Sequence, residues 1–210
     1  MNQTTSKDFR ILAIALSAKG FGFVVMEGQK AIIEFGRRVA DGDKNAQSIA
    51  KMKKLLNFYL PGVLVLQDVE AKGSRRYPRI KTLNRQIKRV AEKHKIKVKL
   101  ISKKQLRSLL LGNPRGTKQE MAEMLAMQFP DELASRLPAK RKPWKSEDAR
   151  MDIFDAVALA VVFRLKGATQ GSRVAPTLGY LLLLRWSIGQ ASRLCVFALK
   201  NLRRIVHAFA

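Results

Sequence analysis

Residues 9–15, Phe-Arg-Ile-Leu-Ala-Ile-Ala, and the run after them, Leu-Ser-Ala-Lys-Gly-Phe-Gly22, decide how the chain is read. The first seven are short and apolar, with β-branched Ile11 and Ile14, the pattern of a buried strand. Lys19-Gly20 supplies a turn, and residues 21–27 read as a second strand. Gly28-Gln29 fits a two-residue hairpin loop, and residues 31–35 make a third strand. A three-stranded meander therefore opens the domain.

Working outward, strand and helix alternate. Ile49, Met52, Leu55, Leu56 and Tyr59 share one helical face, with Lys51, Lys53 and Lys54 mostly off it, and Pro61-Gly62 ends the helix. Residues 63–66, Val-Leu-Val-Leu, are fully apolar, as a parallel strand covered on both faces requires. A polar loop, residues 72–78, leads into a helix with Ile80, Leu83, Ile87 and Val90 inward, and residues 96–101 give the next strand. Thr117-Lys-Gln-Glu120 is a capping box that opens a helix to about residue 129, where Pro130 stops it. Residues 138–146 form a basic loop, and residues 148–165 a strong helix. The order β-β-β-α-β-α-β-α-α predicts an α/β fold, a mixed five-stranded sheet with an antiparallel edge and helices on its faces.

The chain has 210 residues, 41 Lys and Arg against 16 Asp and Glu, and a formal net charge of +25. With 47% hydrophobic residues it is a folded protein with a very positive surface rather than a disordered basic tail. Such a surface favours a polyanion: nucleic acid first, with anionic lipid or an acidic protein behind it. One cysteine, Cys195, and two histidines, His94 and His207, exclude a disulfide framework and multi-Cys or His-rich metal sites. The N-terminus has no apolar signal-peptide core, so a cytoplasmic location is expected, and no small-molecule cofactor.

The stretch from residue 167 lacks acids but keeps Arg173, Arg185, Arg193, Lys200, Arg203 and Arg204. Its apolar run, residues 178–188, is cut by Arg185 and too short to span a bilayer. The expected organisation is one domain over residues 1–166 and a basic, apolar helical extension over residues 167–210. That extension could order weakly, pack on the domain, lie on a membrane surface as an amphipathic helix, or be a non-native extension of the reading frame.

Chemistry concentrates at Asp152 and Asp155. They stand three residues apart inside the apolar run Ile153, Phe154, Ala156, Val157, Leu159, so both carboxylates project from one helical face. A buried carboxylate is costly unless it is paired or binds a cation. Two explanations weigh equally on the spacing: ligation of Mg²⁺, which takes carboxylates and water, or a place in the exposed first turn, where Asp suits the helix dipole.

The run from Ile11 to Gly22, the apolar strand ending Gln67-Asp68, and Asp152-Ile-Phe-Asp155-Ala-Val-Ala together resemble the RNase H-like superfamily, and within it the RuvC-type Holliday junction resolvases. The resemblance covers residues 9–165 in element order. It implies a nuclease site for two Mg²⁺ ions, built from an Asp ending the first strand, a Glu ending the fourth and an Asp pair on the last helix. Asp152 and Asp155 match that pair. Ala15 stands where the family has Asp, and Gln67 where it has Glu. Alanine supplies no oxygen and glutamine no charge. Asp68 replaces the missing Glu only through a register slip or bulge, since neighbouring strand residues face opposite sides. Glu70, Glu147 and Asp148 are the other acids near in sequence.

The basic surface does not depend on those acids. Lys81, Arg85, Lys88 and Arg89 form a stripe on one helix; Lys72, Arg75 and Arg76 lie in the loop before it; Lys140, Arg141, Lys142, Trp144 and Lys145 cluster ahead of the acidic helix. Trp144 suits stacking on an unpaired base. Three functions are consistent with the sequence: a binder of structured or branched DNA with a degenerate metal site, an active Mg²⁺-dependent endonuclease, or a structural or membrane-surface adaptor. The resemblance adds a homodimer as the expected assembly.

Overall fold

Pairing to β-strand neighbours on both sides makes the first strand the centre of a mixed sheet. The structure, a computed structural model, describes residues 10–28, 31–71, 77–142 and 144–170. In chain order the elements are β1 (Ile11–Ser17), β2 (Gly20–Glu27), β3 (Ala31–Val39), α1 (Lys44–Tyr59), β4 (Val63–Gln67), α2 (Pro78–Lys93), β5 (Lys97–Ile101), α3 (Lys103–Leu111), α4 (Lys118–Gln128), α5 (Pro130–Leu133) and α6 (Met151–Gln170). The sheet runs β3-β2-β1-β4-β5. The β1–β2 and β2–β3 pairs are antiparallel, and β1–β4 and β4–β5 parallel, so the expected mixed five-stranded sheet is present.

Strand alternation divides two cores. Ile11, Ala13 and Ala15 of β1, with Val63 and Val65 of β4, pack on the side of α3, α4 and α6. Leu12, Ile14 and Leu16, with Leu64 and Leu66, pack against α1 and α2. The period of two therefore turns Ala15 and Gln67 toward α6, and Asp68 away from it. Helix α6 is the deepest, buried from Ala156 to Val162. Its first turn rests on β2 at Gly22, where a Cβ would fall 2.0 Å from the Asp152 carbonyl oxygen. Only glycine permits that approach.

Four boundaries differ from the sequence expectation. Strand β3 runs on to Val39 in register with Gly20, although its half-buried edge residues, Arg37 and Arg38 among them, hide the strand pattern. Helix α3 is additional, opened by a Ser102–Gln105 capping box and closed by left-handed Gly112. The chain turns into the short α5 at Pro130, which sits at the first helical position and so starts a helix as well as stopping one. Helix α6 begins at Met151 rather than 148, because Asp148 accepts the Arg150 N–H and turns the chain in. It continues to Gln170, past the expected boundary at 166/167. The Gln29 half of the hairpin loop and residues 171–210 lie outside the described residues. Among the described residues no helix is long and apolar enough to cross a membrane.

Candidate nucleic-acid interface and metal position

The parallel strands β1 and β4 end side by side, and a small pocket opens at their C-terminal ends. Its volume is about 20 Å³, room for a single water-sized group. Ala15 of β1, Gln67 of β4 and Asp155 of α6 line it, together with Lys103 and Arg107 of α3 and Lys118 of α4. Leu106, Met121 and Leu159 complete its wall. Three of the positions singled out in the sequence thus meet in one place.

Asp152 sits beside this pocket but turns elsewhere. Its Oδ2 accepts a hydrogen bond from Arg37 Nε at 3.0 Å, with the two side chains 17% and 22% exposed. Burial raises the Asp152 carboxyl above its ordinary value, against the pull of Ser17 and Arg37, and the neighbouring Asp155 charge adds to the rise. Asp155 accepts from Lys118 Nζ at 2.8 Å, and the same ammonium donates to Glu147 at 2.6 Å. Burial alone would lower the Lys118 ammonium, but Asp155 and Glu147 outweigh it and hold it above its ordinary value. The two carboxylates are therefore neither bare nor in an exposed turn: each is matched to a cation from another element.

The remaining acids are engaged in the same way. Asp68 lies on the unbroken β4–β5 register, its backbone N–H donating to the Ile101 carbonyl, and its carboxylate accepts from the backbone of Glu70 and Ala71. It closes the turn after β4 and does not line the pocket. Glu70 pairs with Arg85 at 2.8 Å and Asp148 with Arg150 at 2.8 Å. Gln67 is buried, and its backbone carbonyl accepts from Asn84 of α2 at 3.0 Å. Among the described residues no three His, Cys, Asp or Glu side chains gather closely enough to hold a metal ion.

The basic groups fall on two faces. Lys81, Arg85, Lys88 and Arg89 lie on α2, in the α1–α2 layer, where Arg85 is tied to Glu70. Lys140, Arg141, Lys142 and Lys145 are exposed in the segment before α6. That segment is fastened to α4 by Gln119 bonding the Pro138 carbonyl and by Lys118 bonding Glu147. Trp144 is 77% exposed, with the Lys142 ammonium 5.7 Å from its ring centre. Lys72, Arg75 and Arg76 lie outside the described residues. Arg37, Lys103, Arg107 and Lys118 were not marked by any motif. Their one sequence signal is that Lys118 directly follows the Thr117 cap.

This order of strands, with α6 packed across the sheet and its Asp155 at the pocket, is the RNase H-like fold in its RuvC-type form. Thermus thermophilus RuvC is similar at a TM-score of 0.55 and 14% identity, over 73% of this chain and 92% of that one. The same resolvase solved with a Holliday junction substrate gives 0.53 and 14% over 73% and 92% of the two chains. The yeast mitochondrial Holliday junction resolvase gives 0.53 and 14% over 77% of this chain and 80% of its own. No protein-family model matches the sequence, and no curated protein matches it either.

Proposed function

We propose that this chain binds DNA of branched or otherwise structured form on a RuvC-type scaffold whose metal site is degenerate. One observation carries the reading: the pocket formed by Ala15, Gln67 and Asp155 is faced by the Lys118 ammonium, 2.8 Å from the Asp155 carboxylate. A pair of Mg²⁺ ions needs a cage of carboxylate oxygens. Here Ala15 offers none and Gln67 offers a neutral one, while Arg37 and Lys118 already compensate Asp152 and Asp155. The donor set does not fit the metal pair that the resemblance implies.

The scaffold and the surface charge remain suited to a polyanion. The net charge of +25, the exposed Lys140, Arg141, Lys142 and Trp144, and the α2 stripe support nucleic acid over the alternatives. The similarity to a resolvase solved with a Holliday junction supports a branched substrate. A homodimer belongs to the same proposal, because a four-way junction offers symmetric strands to paired sites. The test is fluorescence anisotropy with a labelled four-way junction and a linear duplex of equal length, across a salt series. Junction binding tighter than duplex, falling with salt by about 0.9 in log–log slope per phosphate contacted, is expected. Equal affinity for junction, duplex and an unrelated polyanion such as heparin would refute recognition of structure.

A further inference from the structure

We infer that the turn between α2 and β5, with the free edge of β5 beside it, is a second nucleic-acid contact that holds phosphates at the end of the sheet opposite the pocket. The inference rests on the nucleic-acid reading above and adds a surface to it. Strand β5 is the last of the sheet and pairs on one side only, with β4. The two run parallel, with Ile101 level with Gln67, so the start of β5 at Lys97 lies about 13 Å of strand away from that end. Residues 88–99 carry six cations, Lys88, Arg89, Lys93, Lys95, Lys97 and Lys99, against one acid, Glu92. All six are exposed, and none forms an ion pair among the described residues.

Lys95 separates a functional patch from a merely solvated one. Helix α2 ends at Lys93, with His94 as its cap. The Lys95 N–H donates to the Glu92 carbonyl and the Ile96 N–H to the Ala91 carbonyl, both at 2.9 Å, which closes the helix as a Schellman turn. That turn needs a left-handed residue after the cap, and Lys95 takes it with φ of 57°. Glycine is the usual occupant, because a Cβ is crowded in this conformation. The backbone asks for glycine, and the chain supplies an exposed ammonium. The α2 dipole does not require it, since Lys93 already places a cation in the last turn. Lys97 and Lys99 also keep other strands off the sheet edge. Lys95 lies off the strand, where that explanation does not reach.

The partner that fits is a phosphate backbone. Lys97 and Lys99 stand two residues apart on one face of β5, about 6.6 Å along the strand, a row that suits a continuous chain of charges rather than one small anion. Five of the six cations are lysines, point charges without the fork that reads a base edge, so the contact positions nucleic acid without reading its sequence. Ile96 and Val98, interleaved with the lysines, are half-buried against the α1–α2 core and are not offered to a lipid surface.

The experiment uses the full chain with three variants: Lys95→Gly, Lys95→Arg, and Lys97→Gln combined with Lys99→Gln. Each is measured for Tm, for junction affinity over a salt series, and for co-sedimentation with phosphatidylcholine–phosphatidylserine vesicles. Lys95→Gly is expected to raise Tm by about 2–4 °C, because it relieves the left-handed position. The same variant should weaken junction binding about eightfold near ~0.1 M salt and lower the salt slope by about 0.9, one phosphate contact. Lys95→Arg keeps affinity and slope, and the double variant lowers the slope by about 1.8. A gain in stability with a loss of binding separates the charge from the fold. If the parent binds the junction but neither Lys95→Gly nor the double variant changes affinity or slope, the surface is overturned and the DNA reading stands. A parent that binds no DNA overturns both. If the variants lose vesicle binding and keep junction binding, the surface is a lipid contact and the inference is likewise overturned.

Discussion

Replacing Lys118 by methionine removes one charge while keeping nearly the same volume against Leu159 and Met121. The ammonium it removes bridges Asp155 at 2.8 Å and Glu147 at 2.6 Å, with Lys118 28% exposed, Asp155 18% and Glu147 44%. An exposed ion pair contributes ~0.2–1 kcal/mol, whereas breaking a buried pair costs ~3–5 kcal/mol. The Asp155 pair lies toward the buried limit and the Glu147 pair toward the exposed one. Lys118→Met should therefore cost about 2 kcal/mol, most of it from leaving Asp155 uncompensated. For a domain of this size that is a fall in Tm of about 4–8 °C. Urea unfolding followed by circular dichroism gives the number, and a double-mutant cycle with Asp155→Asn isolates the pair, with a coupling of about 1–2 kcal/mol expected. A cost below about 0.5 kcal/mol, or no coupling, would show that the ammonium is not what satisfies Asp155, and the account of the pocket would fail with it.

Gly22→Ala places a methyl 2.0 Å from the Asp152 carbonyl oxygen, so α6 must move off the sheet; a loss near the top of the ~1–3 kcal/mol overpacking range is expected in denaturant unfolding. Asp152, raised by burial, keeps its proton to higher pH in the folded chain than in the unfolded one. Its contribution is therefore most favourable below the unfolded value and is lost as pH rises to the folded one. Asp152→Asn should flatten that part of the stability–pH curve, and a curve that stays as steep would contradict the desolvated environment. Trp144→Ala should leave thermal stability unchanged, since the ring is 77% exposed, yet weaken binding to a junction carrying unpaired bases by ~1–3 kcal/mol relative to a fully paired one.

The sheet was legible because its central strands carry their own signal. Strands β1 and β4 are apolar up to their last residues, Ser17 and Gln67, and a strand buried on both faces lies inside a sheet covered on both sides. The alternation that turns Ala15 and Gln67 to one side and Asp68 to the other could also be read from the chain alone. Helix α3 escaped notice because its nine residues begin with two lysines and bury only Leu106 and Leu110, too few for a clear period. The cations that meet Asp152 and Asp155 escaped for a different reason. Arg37 meets Asp152 across 115 residues of chain and Lys118 meets Asp155 across 37, and no local pattern records a pairing that only the packed layers create. The sequence shows that Ala15 and Gln67 stand where the resemblance implies acids; only the fold shows that Arg37 and Lys118 answer Asp152 and Asp155.

That pairing also sets what introducing the acids that the resemblance implies should require. Ala15→Asp with Gln67→Glu would place two carboxylates in a pocket that still contains Lys118, whose ammonium competes with any added cation. The most direct measurement of the central claim is cleavage of a labelled four-way junction in Mg²⁺ by the unaltered chain, the double variant, and the double variant carrying Lys118→Ala as well. The account predicts that the unaltered chain binds the junction without cutting it and that cutting is strongest in the triple variant. Cleavage by the unaltered chain, abolished by Asp155→Asn, would contradict it and show that the site is an active metal-dependent nuclease as it stands.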